Sequence, residues 1–272
     1  MSRRVTVLLL HAGMVLAALV VVAPLAWMLV LSFMPAGSAA ASPLGLGGTP
    51  TLEHYRTLFA RLDVARAIAN SAGLAAGVTA VSLVLNSLAG YAFAKLRFRG
   101  REPVFRALLT ALVIPGQLGM LPLFLLLKEL GLVDTYLGVL VPGLASVFGI
   151  FLVRQYAQGI PDSLLDAART DGASELTIYR TIVLRLCRPV LVTLALFTFM
   201  GAWNDFLWPL VILADQDRYT LPVALAGLLG EHAQDAELMM AGAVLTVAPV
   251  LLLFVVLQRY YIESVAAGAL KE

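Results

Sequence analysis

The chain has 272 residues, of which 60% are hydrophobic and only 13% are charged, and its mean hydropathy is +0.90. A soluble domain typically carries about 25% charged residues, so this chain lacks the polar surface to cover itself in water. That composition excludes a cytoplasmic globular enzyme and a disordered protein. The net charge of +2 argues against nucleic acid as a partner, and one cysteine with three isolated histidines argues against a disulfide scaffold or a metal site.

Six apolar stretches are long enough to cross a membrane, because a transmembrane helix needs about 20 predominantly apolar residues. They cover 5–33, 70–94, 107–127, 137–153, 189–213 and 238–257. We therefore predict an all-α, polytopic membrane protein with six transmembrane helices. Pro115 and Gly116 lie inside the third stretch and predict a bend or break there, since proline removes a backbone donor.

The first stretch has an alternative interpretation as a secretory signal, since Arg3 and Arg4 precede it. Its apolar run over 5–33 exceeds the roughly 7–15 residues of a signal-sequence core, so we predict a retained helix. The predicted organisation is an N-terminal transmembrane helix with an external loop over 1–65, a five-helix core over 66–263 and a tail over 264–272.

The distribution of basic residues predicts the orientation in the membrane. Of the 19 lysines and arginines, five fall in the segments on one side of the predicted helices, namely Arg56, Arg61, Arg66, Lys128 and Arg218, and the other 14 fall on the opposite side. Positive charge is retained on the cytoplasmic side. We therefore predict that both termini and the loop over 154–188 lie in the cytoplasm.

The loop over 154–188 predicts two short helices. Pro161 and Asp162 are typical of a helix start, Asp171 and Gly172 are typical of a turn, and Ser174 can cap a second helix. Such a helical pair between membrane spans is suited to contact a soluble partner. The alternative is a solvated connector, in which Asp166 and Arg169 simply pair with each other at a spacing of three residues.

Several short motifs resemble one family of membrane proteins. The string DAARTDGA over 166–173, followed by Tyr179 and Arg180, resembles the EAA loop of bacterial ABC importer permeases. The strings YAFA at 91–94, IPGQ at 114–117, WNDF at 203–206 and AGA at 267–269 resemble the carbohydrate branch of that family, which is similar to the MalG subunit of maltose importers. The resemblance covers nearly the whole chain.

The resemblance implies that the loop docks in a cleft of an ATPase subunit. The implied ATPase-coupling residues are Asp166, Ala167, Ala168, Arg169, Asp171, Gly172 and Arg180. Asp166 takes the place of the usual glutamate, and both alanines would pack against the cleft floor. Asp171 would cap the turn, and Gly172 would supply backbone freedom. Arg185 stands where the family often has proline, so the second helix is expected to end differently.

The same resemblance implies a larger assembly. The implied partners are a second permease, an ATPase dimer and an external substrate-binding protein, with the tail over 264–272 lying along the ATPase dimer. The acidic outer loop over 214–237 would reach into the binding protein, and the residues implied for that contact are Gly227, Leu228, Leu229, Gly230 and Glu231. We expect His232 to be a solvated loop residue.

Asp205 is the one carboxylate that lies well inside a predicted span. A charge inside the membrane costs at least about 2.5–3.5 kcal/mol, so this side chain should face the protein interior or a watery cavity. We therefore predict a translocation path that includes Trp203, Asn204, Asp205 and Trp208. The alternative is a structural anchor near the outer interface, where Asp205 caps or pairs locally beside an aromatic belt that both tryptophans fit.

The sequence contains no G-x-x-x-x-G-K-[ST] string, so this chain cannot bind ATP in the P-loop manner. We expect no cofactor in this chain, with ATP and magnesium on the partner ATPase. The predicted function is an inner-membrane permease subunit that imports a di- or oligosaccharide or a related polyol by alternating access. The alternative is an ion- or proton-coupled secondary carrier with Asp205 as its titrating residue. A membrane enzyme is disfavoured because no catalytic constellation falls at membrane depth.

Overall fold

The computed structural model describes residues 3–41, 48–231 and 235–269, with the side chains of 3, 228–231, 257 and 259–269 left out. Helices dominate this part of the chain, and it contains no strand. We number the helices α1 Arg3–Leu31, α2 Glu53–Arg61, α3 Val64–Lys95, α4 Arg101–Ala111, α5 Met120–Glu129, α6 Tyr136–Leu140, α7 Val147–Gln158, α8 Asp162–Thr170, α9 Glu175–Leu186, α10 Arg188–Trp203, α11 Leu207–Ile212, α12 Leu221–Glu231 and α13 Ala236–Ala269.

Three of these helices are long and apolar enough to cross a membrane by themselves: α1, α3 and the first part of α13. Three further helix pairs reach spanning length and hydropathy only when taken together, and each bends sharply at a short break: by 96° between α4 and the helix over Gly116–Glu129, 41° between Tyr136–Gly143 and α7, and 79° between α9 and α10. If each bent pair is one span, the described residues hold six spans, which is the number predicted from the sequence.

The bend predicted in the third span is confirmed. Helix α4 ends at Ala111, and Pro115 then precedes a single 3₁₀ turn over Gly116–Gly119 before α5 begins. Proline has no backbone N–H to donate and its ring crowds the preceding turn, which favours a break at this position. The span therefore consists of two helices that meet at a steep angle.

The fifth predicted span, over 189–213, is not a single helix. Helix α10 ends at Trp203, the backbone leaves the helical conformation at Asn204, and α11 begins only at Leu207. Asp205 therefore lies in a break between two helices, which corrects its predicted position within a continuous span. A polar Asn-Asp pair favours such a break because its side chains compete for backbone hydrogen bonds.

The described residues fall into two compact units. The first comprises Met1–Ala65 and Ala224–Pro249, and it contains a buried histidine, His54, whose Nε2 lies 2.8 Å from the carbonyl of Met34. In the same unit the carboxylate of Glu237 accepts a hydrogen bond from the backbone N–H of Ala39 at 2.7 Å. The second comprises Arg66–Val223 and Val250–Glu272, and it holds every feature of the candidate site.

Close packing of α3 on α7 positions the candidate site in the second unit. A Cβ added at Gly90 of α3 would lie 2.7 Å from the Val153 side chain and 3.1 Å from the backbone nitrogen of Arg154, so only glycine permits this approach. Arg154 is buried, donates to the carbonyl of Phe93 at 3.2 Å and pairs with Glu102 at 3.1 Å. These contacts fix α7 against α3, and α8 begins four residues after the end of α7.

Candidate functional site

Helix α8 presents one apolar side to the protein and one polar side outward. Leu165 is buried, whereas Asp162 and Asp166 are exposed on the other face. Pro161 occupies the N-cap position and Asp162 lies in the first turn, where a carboxylate interacts favourably with the helix dipole. This short amphipathic helix is the first of the two predicted from the loop.

The turn after α8 is a Schellman motif centred on Gly172. The N–H of Gly172 donates to the carbonyl of Arg169, and the N–H of Ala173 donates to the carbonyl of Ala168, both at 3.0 Å. Gly172 has a φ of +82°, a conformation that a Cβ disfavours. Asp171 is the C-cap residue, and its N–H bonds the carbonyl of Ala167. The predicted turn is therefore present.

Helix α9 begins as the sequence predicts, since the hydroxyl of Ser174 accepts a hydrogen bond from the N–H of Thr177. It contains a π-helical turn over Tyr179–Val183, a feature that is frequent at functional sites. The helix continues through Arg185, where the family often has proline, and ends at Cys187. Pro189 in the first turn of α10 follows this break directly.

A cluster of buried apolar side chains lies beneath α8 and α9. Leu165 from α8 and Ile178 from α9 are its nearly fully buried members, and Tyr91 of α3 and Cys187 belong to the same cluster. Ala168 packs against this cluster from its edge. The two helices therefore rest on the chain's own core and do not lie loosely at its surface.

The charged side chains of the segment form one connected network. The guanidinium of Arg169 lies 2.7 Å from Asp166 and 2.7 Å from Glu175, and the hydroxyl of Tyr91 donates to Glu175 at 2.5 Å. The acceptors Glu175 and Asp166 stabilise the charged guanidinium and so raise the pKa of Arg169. The Asp166–Arg169 pair expected for a solvated connector is present. Arg169 also pairs with Glu175 and so joins α8 to α9.

A second ion pair fixes the start of α8. The ammonium group of Lys95, at the end of α3, lies 2.6 Å from the carboxylate of Asp162 and donates to the carbonyl of Ile160 at 2.6 Å. The hydrogen bond from Lys95 to the Asp162 carboxylate and the positive charge of Lys95 hold the pKa of Asp162 below its usual range. The stem of Lys95 is buried while Asp162 is exposed, so the pair forms at the edge of the protein.

The predicted ATPase-coupling residues lie together on α8, its turn and α9. Asp166, Ala167, Asp171, Gly172 and Arg180 are exposed, and Arg169 is half-buried. Ala168 differs from the prediction, because it packs against the chain's own core. It lies three residues after buried Leu165 and hence on the same helix face. Of the two alanines, Ala167 is exposed and Ala168 is only partly exposed.

Sequence reasoning missed two members of this site, Tyr91 and Glu175. Tyr91 belongs to the YAFA string, which was used only as a mark of resemblance. Glu175 lies six residues after Arg169, across a turn, so no helix-spacing rule predicts their contact. A signal was available for Tyr91, since a tyrosine close to the basic end of an apolar span requires a partner for its hydroxyl.

The predicted translocation residues divide into two groups. Asp205 and Trp208 line a cavity of about 490 Å³ in the second unit, together with residues of α3, α10 and the segment around Gly116. The carboxylate of Asp205 accepts a hydrogen bond from the N–H of Trp208 at 3.3 Å and so caps α11. Trp203 and Asn204 do not line this cavity, and the amide of Asn204 donates back to the carbonyl of Met200.

The burial of both tryptophans within the second unit argues against the alternative of an aromatic belt at the membrane interface. Trp203 is 1% exposed and stacks on Phe199 with 6.0 Å between ring centroids. Trp208 is 9% exposed, and its indole N–H donates to the carbonyl of Gly138 at 3.1 Å. A belt residue would present its ring to lipid, whereas these rings are held inside the second unit.

The predicted outer loop is helical over much of its length. Helix α12 covers Leu221–Glu231, so Gly227, Leu228, Leu229, Gly230 and Glu231 form its last turns and not a loop. The apolar run of 221–229, with Pro222 near its start, favours a helix there. His232 and residues 270–272 of the predicted tail lie outside the described residues, while the backbone of 264–269 continues α13.

The long apolar helices among the described residues are those of an integral membrane protein, and α8 and α9 give it a charged surface supported by a buried core. The chain belongs to the family of binding-protein-dependent transport system inner membrane components, which matches residues 82–266. It is therefore a multi-pass inner-membrane protein and the permease type of ABC importer subunit.

Curated relatives and a solved structure agree with this assignment. The chain is 36% identical to the arabinooligosaccharides transport system permease protein AraQ of Halalkalibacterium halodurans, over 97% of this chain and 96% of the relative. It is 31% identical to the lactose transport system permease protein LacG of Rhizobium radiobacter, over 97% and 96%. A chain of a bacterial ABC transporter that imports the acidic polysaccharide alginate superposes with a TM-score of 0.81 at 25% identity, covering 96% of this chain and 99% of that one.

Proposed function

We propose that the chain is the permease subunit of an ATP-driven ABC importer of a di- or oligosaccharide or a related polyol. The observation that carries the proposal is the helical pair α8–α9, whose exposed charged face is supported by a buried core. The sugar class is supported by the printed functions of relatives that align over almost the whole chain, for arabinooligosaccharides and for lactose.

The remaining components of the importer are proposed from the family and the sequence. The family depends on a binding protein, and because this sequence has no P-loop string we assign ATP and magnesium to a separate ATPase dimer. A second permease completes the membrane part. The bias of basic residues, 14 of 19 on one side, supports cytoplasmic termini and a cytoplasmic position for α8 and α9.

The mechanism that follows is alternating access driven by the ATPase. Closure of the ATPase dimer displaces α8 and α9, and the bundle shifts between inward-open and outward-open arrangements, each favoured by different ligands. The sharp breaks between α9 and α10 and between α4 and α5 supply places where spans can change direction. Substrate is accepted from the docked binding protein in the outward-open arrangement.

Within this mechanism we assign the cavity beside Asp205 and Trp208 to the translocation path. Its lining is largely apolar, with hydroxyl groups from Ser82, Ser146 and Thr198. Hydroxyl and carboxylate groups can hydrogen-bond a sugar, and an indole ring offers a flat apolar surface. The path residues predicted from the sequence are thereby reduced to Asp205 and Trp208.

Charge reversal at Asp166 tests the proposal. The variant Asp166→Arg is expected to reduce both substrate uptake and substrate-stimulated ATP hydrolysis of the complete importer about tenfold, because it places a cation on the docking face. Glu129→Arg is the matched control, since it reverses an exposed acidic residue at the end of α5.

Normal uptake and ATP hydrolysis by the Asp166→Arg importer would contradict the assignment of the exposed α8 face as the ATPase-docking surface. Uptake by this chain alone in proteoliposomes, driven by a proton gradient and abolished in Asp205→Asn, would instead support the secondary-carrier alternative. The two outcomes are separated because the first requires the ATPase and the second does not.

A further inference from the structure

Three polar residues lie on one stripe of α3 where that helix passes α8 and α9. Ser87, Tyr91 and Lys95 are spaced by four residues, so they share one helix face over a rise of about 12 Å. Ser87 and Tyr91 are each 3% exposed, and the side chain of Lys95 is 7% exposed. Buried polar groups in the interior of a protein require hydrogen-bond partners, so the partners of these three side chains are informative.

Each member of this stripe bonds a different part of the α8–α9 segment. The Ser87 hydroxyl lies 2.7 Å from the hydroxyl of Tyr179, in the π-helical turn of α9. Tyr91 donates to Glu175 in the first turn of α9 at 2.5 Å. Lys95 donates at 2.6 Å to the carbonyl of Ile160 just before α8. The stripe therefore holds the beginning of both helices and the middle of the second.

The stripe also connects to the exposed face of α8. Glu175, which accepts the Tyr91 hydrogen bond, is shared with Arg169, and Arg169 pairs with Asp166. The side chain of Asp166 is 68% exposed. A continuous chain of polar contacts thus runs from a side chain on the surface to a buried hydroxyl on a membrane-spanning helix.

At its other end, α3 lines the cavity that contains Asp205. Leu74, Val78 and Ser82 lie on its wall, again at intervals of four residues. Ser82, the last of the three in the sequence, precedes Ser87 of the stripe by little more than one helical turn. A displacement of α3 along or about its axis would therefore move one wall of the cavity.

Resting on the proposed function, we infer that Ser87, Tyr91 and Lys95 are positioning residues that couple displacement of α8 and α9 to α3 and hence to the cavity wall. Apolar surfaces can slide past one another, but a buried hydrogen bond specifies one register, because breaking it leaves a donor or acceptor unsatisfied. The segment and α3 therefore move together.

The test measures substrate molecules imported per ATP hydrolysed by the complete importer with Ser87→Ala, Tyr91→Phe and both together. This ratio does not change when part of the protein fails to fold, so it separates a positioning role from a structural one. The double variant is expected to lose about fivefold in the ratio, while co-purification with the ATPase is retained. Tyr156→Phe is the matched control, because Tyr156 is a surface tyrosine of α7, 43% exposed.

A double-mutant cycle tests the contacts themselves, since spatial continuity alone does not establish coupling. Tyr91→Phe and Glu175→Gln are combined, as are Ser87→Ala and Tyr179→Phe. If each pair acts through its hydrogen bond, the second change adds little to the loss caused by the first. Fully additive losses in both cycles would overturn the inference, as would an unchanged import ratio in the Ser87→Ala/Tyr91→Phe importer.

Failure of this inference is distinguishable from failure of the proposed function. If Asp166→Arg blocks uptake but the stripe variants keep the normal import ratio, the permease function stands and the coupling role of the stripe is rejected. If this chain alone takes up substrate in proteoliposomes under a proton gradient, without the ATPase, the proposed function itself is rejected.

Discussion

Gly172 shows how a single residue shapes the α8–α9 segment. Its φ of +82° lets the chain reverse between the two helices, and the added Cβ of any other residue would find nothing within 4 Å. The requirement for glycine is therefore conformational and not a matter of space. This separates the backbone effect of a substitution from any effect of steric collision with neighbouring side chains.

We expect Gly172→Val to impair substrate uptake by the complete importer, whereas Gly172→Asn retains most of it. The left-handed conformation costs a residue with a Cβ about 1–2 kcal/mol, and asparagine tolerates it better than a β-branched residue. The measurement is the initial rate of uptake at equal amounts of assembled complex. Equal rates for the two variants would show that the turn conformation does not matter for coupling.

Among individual residues, the sequence located Asp166, Arg169, Asp171 and Gly172 correctly on one segment, because their spacing is local and short. It could not show that Arg169 is shared between Asp166 and Glu175. Nor could it show that Asp205 caps a short helix, since that depends on where α10 ends.

At the scale of elements, the contact between α3 and α7 depends on the absence of a side chain at Gly90. A Cβ there would lie 2.7 Å from the Cβ of Val153, which belongs to the rigid base of that side chain and cannot rotate away. The two helices would have to separate, and the buried Arg154 at the same contact would shift with them.

We expect Gly90→Ala to destabilise the folded chain by about 1–3 kcal/mol, the usual cost of overpacking. Gly73→Ala on the same helix is the matched control, because a Cβ at Gly73 meets nothing within 4 Å. That control should be neutral or slightly stabilising, since alanine favours a helix more than glycine does. Thermal unfolding in detergent measures both variants, and a Tm for Gly90→Ala at or above that of the control would contradict the expectation.

The apolar stretches predicted the number and approximate positions of the spans but not their continuity. Pro115 predicts the break in the third span, because proline lacks a backbone N–H. The break at Asn204–Phe206 contains no proline, and the Asn-Asp pair there is a weaker signal. Helix α12 was missed because an acidic composition over 214–237 concealed a short apolar run at 221–229.

At the scale of the whole molecule, the charge distribution predicts which side of the membrane each polar segment occupies. The residues Ser163, on α8, and Gln216, in the turn after α11, are both exposed and lie on opposite predicted sides. The native Cys187 is buried, so it contributes little background to thiol labelling.

A membrane-impermeant maleimide applied to intact cells is therefore expected to label Gln216→Cys and to label Ser163→Cys only after the membrane is opened. Fourteen of the 19 basic residues lie on the predicted cytoplasmic side with Ser163, and positive charge is retained there. Labelling of Ser163→Cys in intact cells at the rate of Gln216→Cys would refute this orientation.

The sequence by itself determined that this protein lies in a membrane, that it carries six long apolar stretches and that the loop over 154–188 is a helical pair with a glycine turn. These properties follow from composition and from spacings of a few residues, where the physical rules are local. Only the tertiary structure decided that Tyr91, Glu175 and Arg169 meet, that Ala168 faces inward and that Asp205 borders a cavity. The Tyr91–Glu175 contact joins residues 84 positions apart, and local spacing rules do not predict contacts that depend on how separate helices pack.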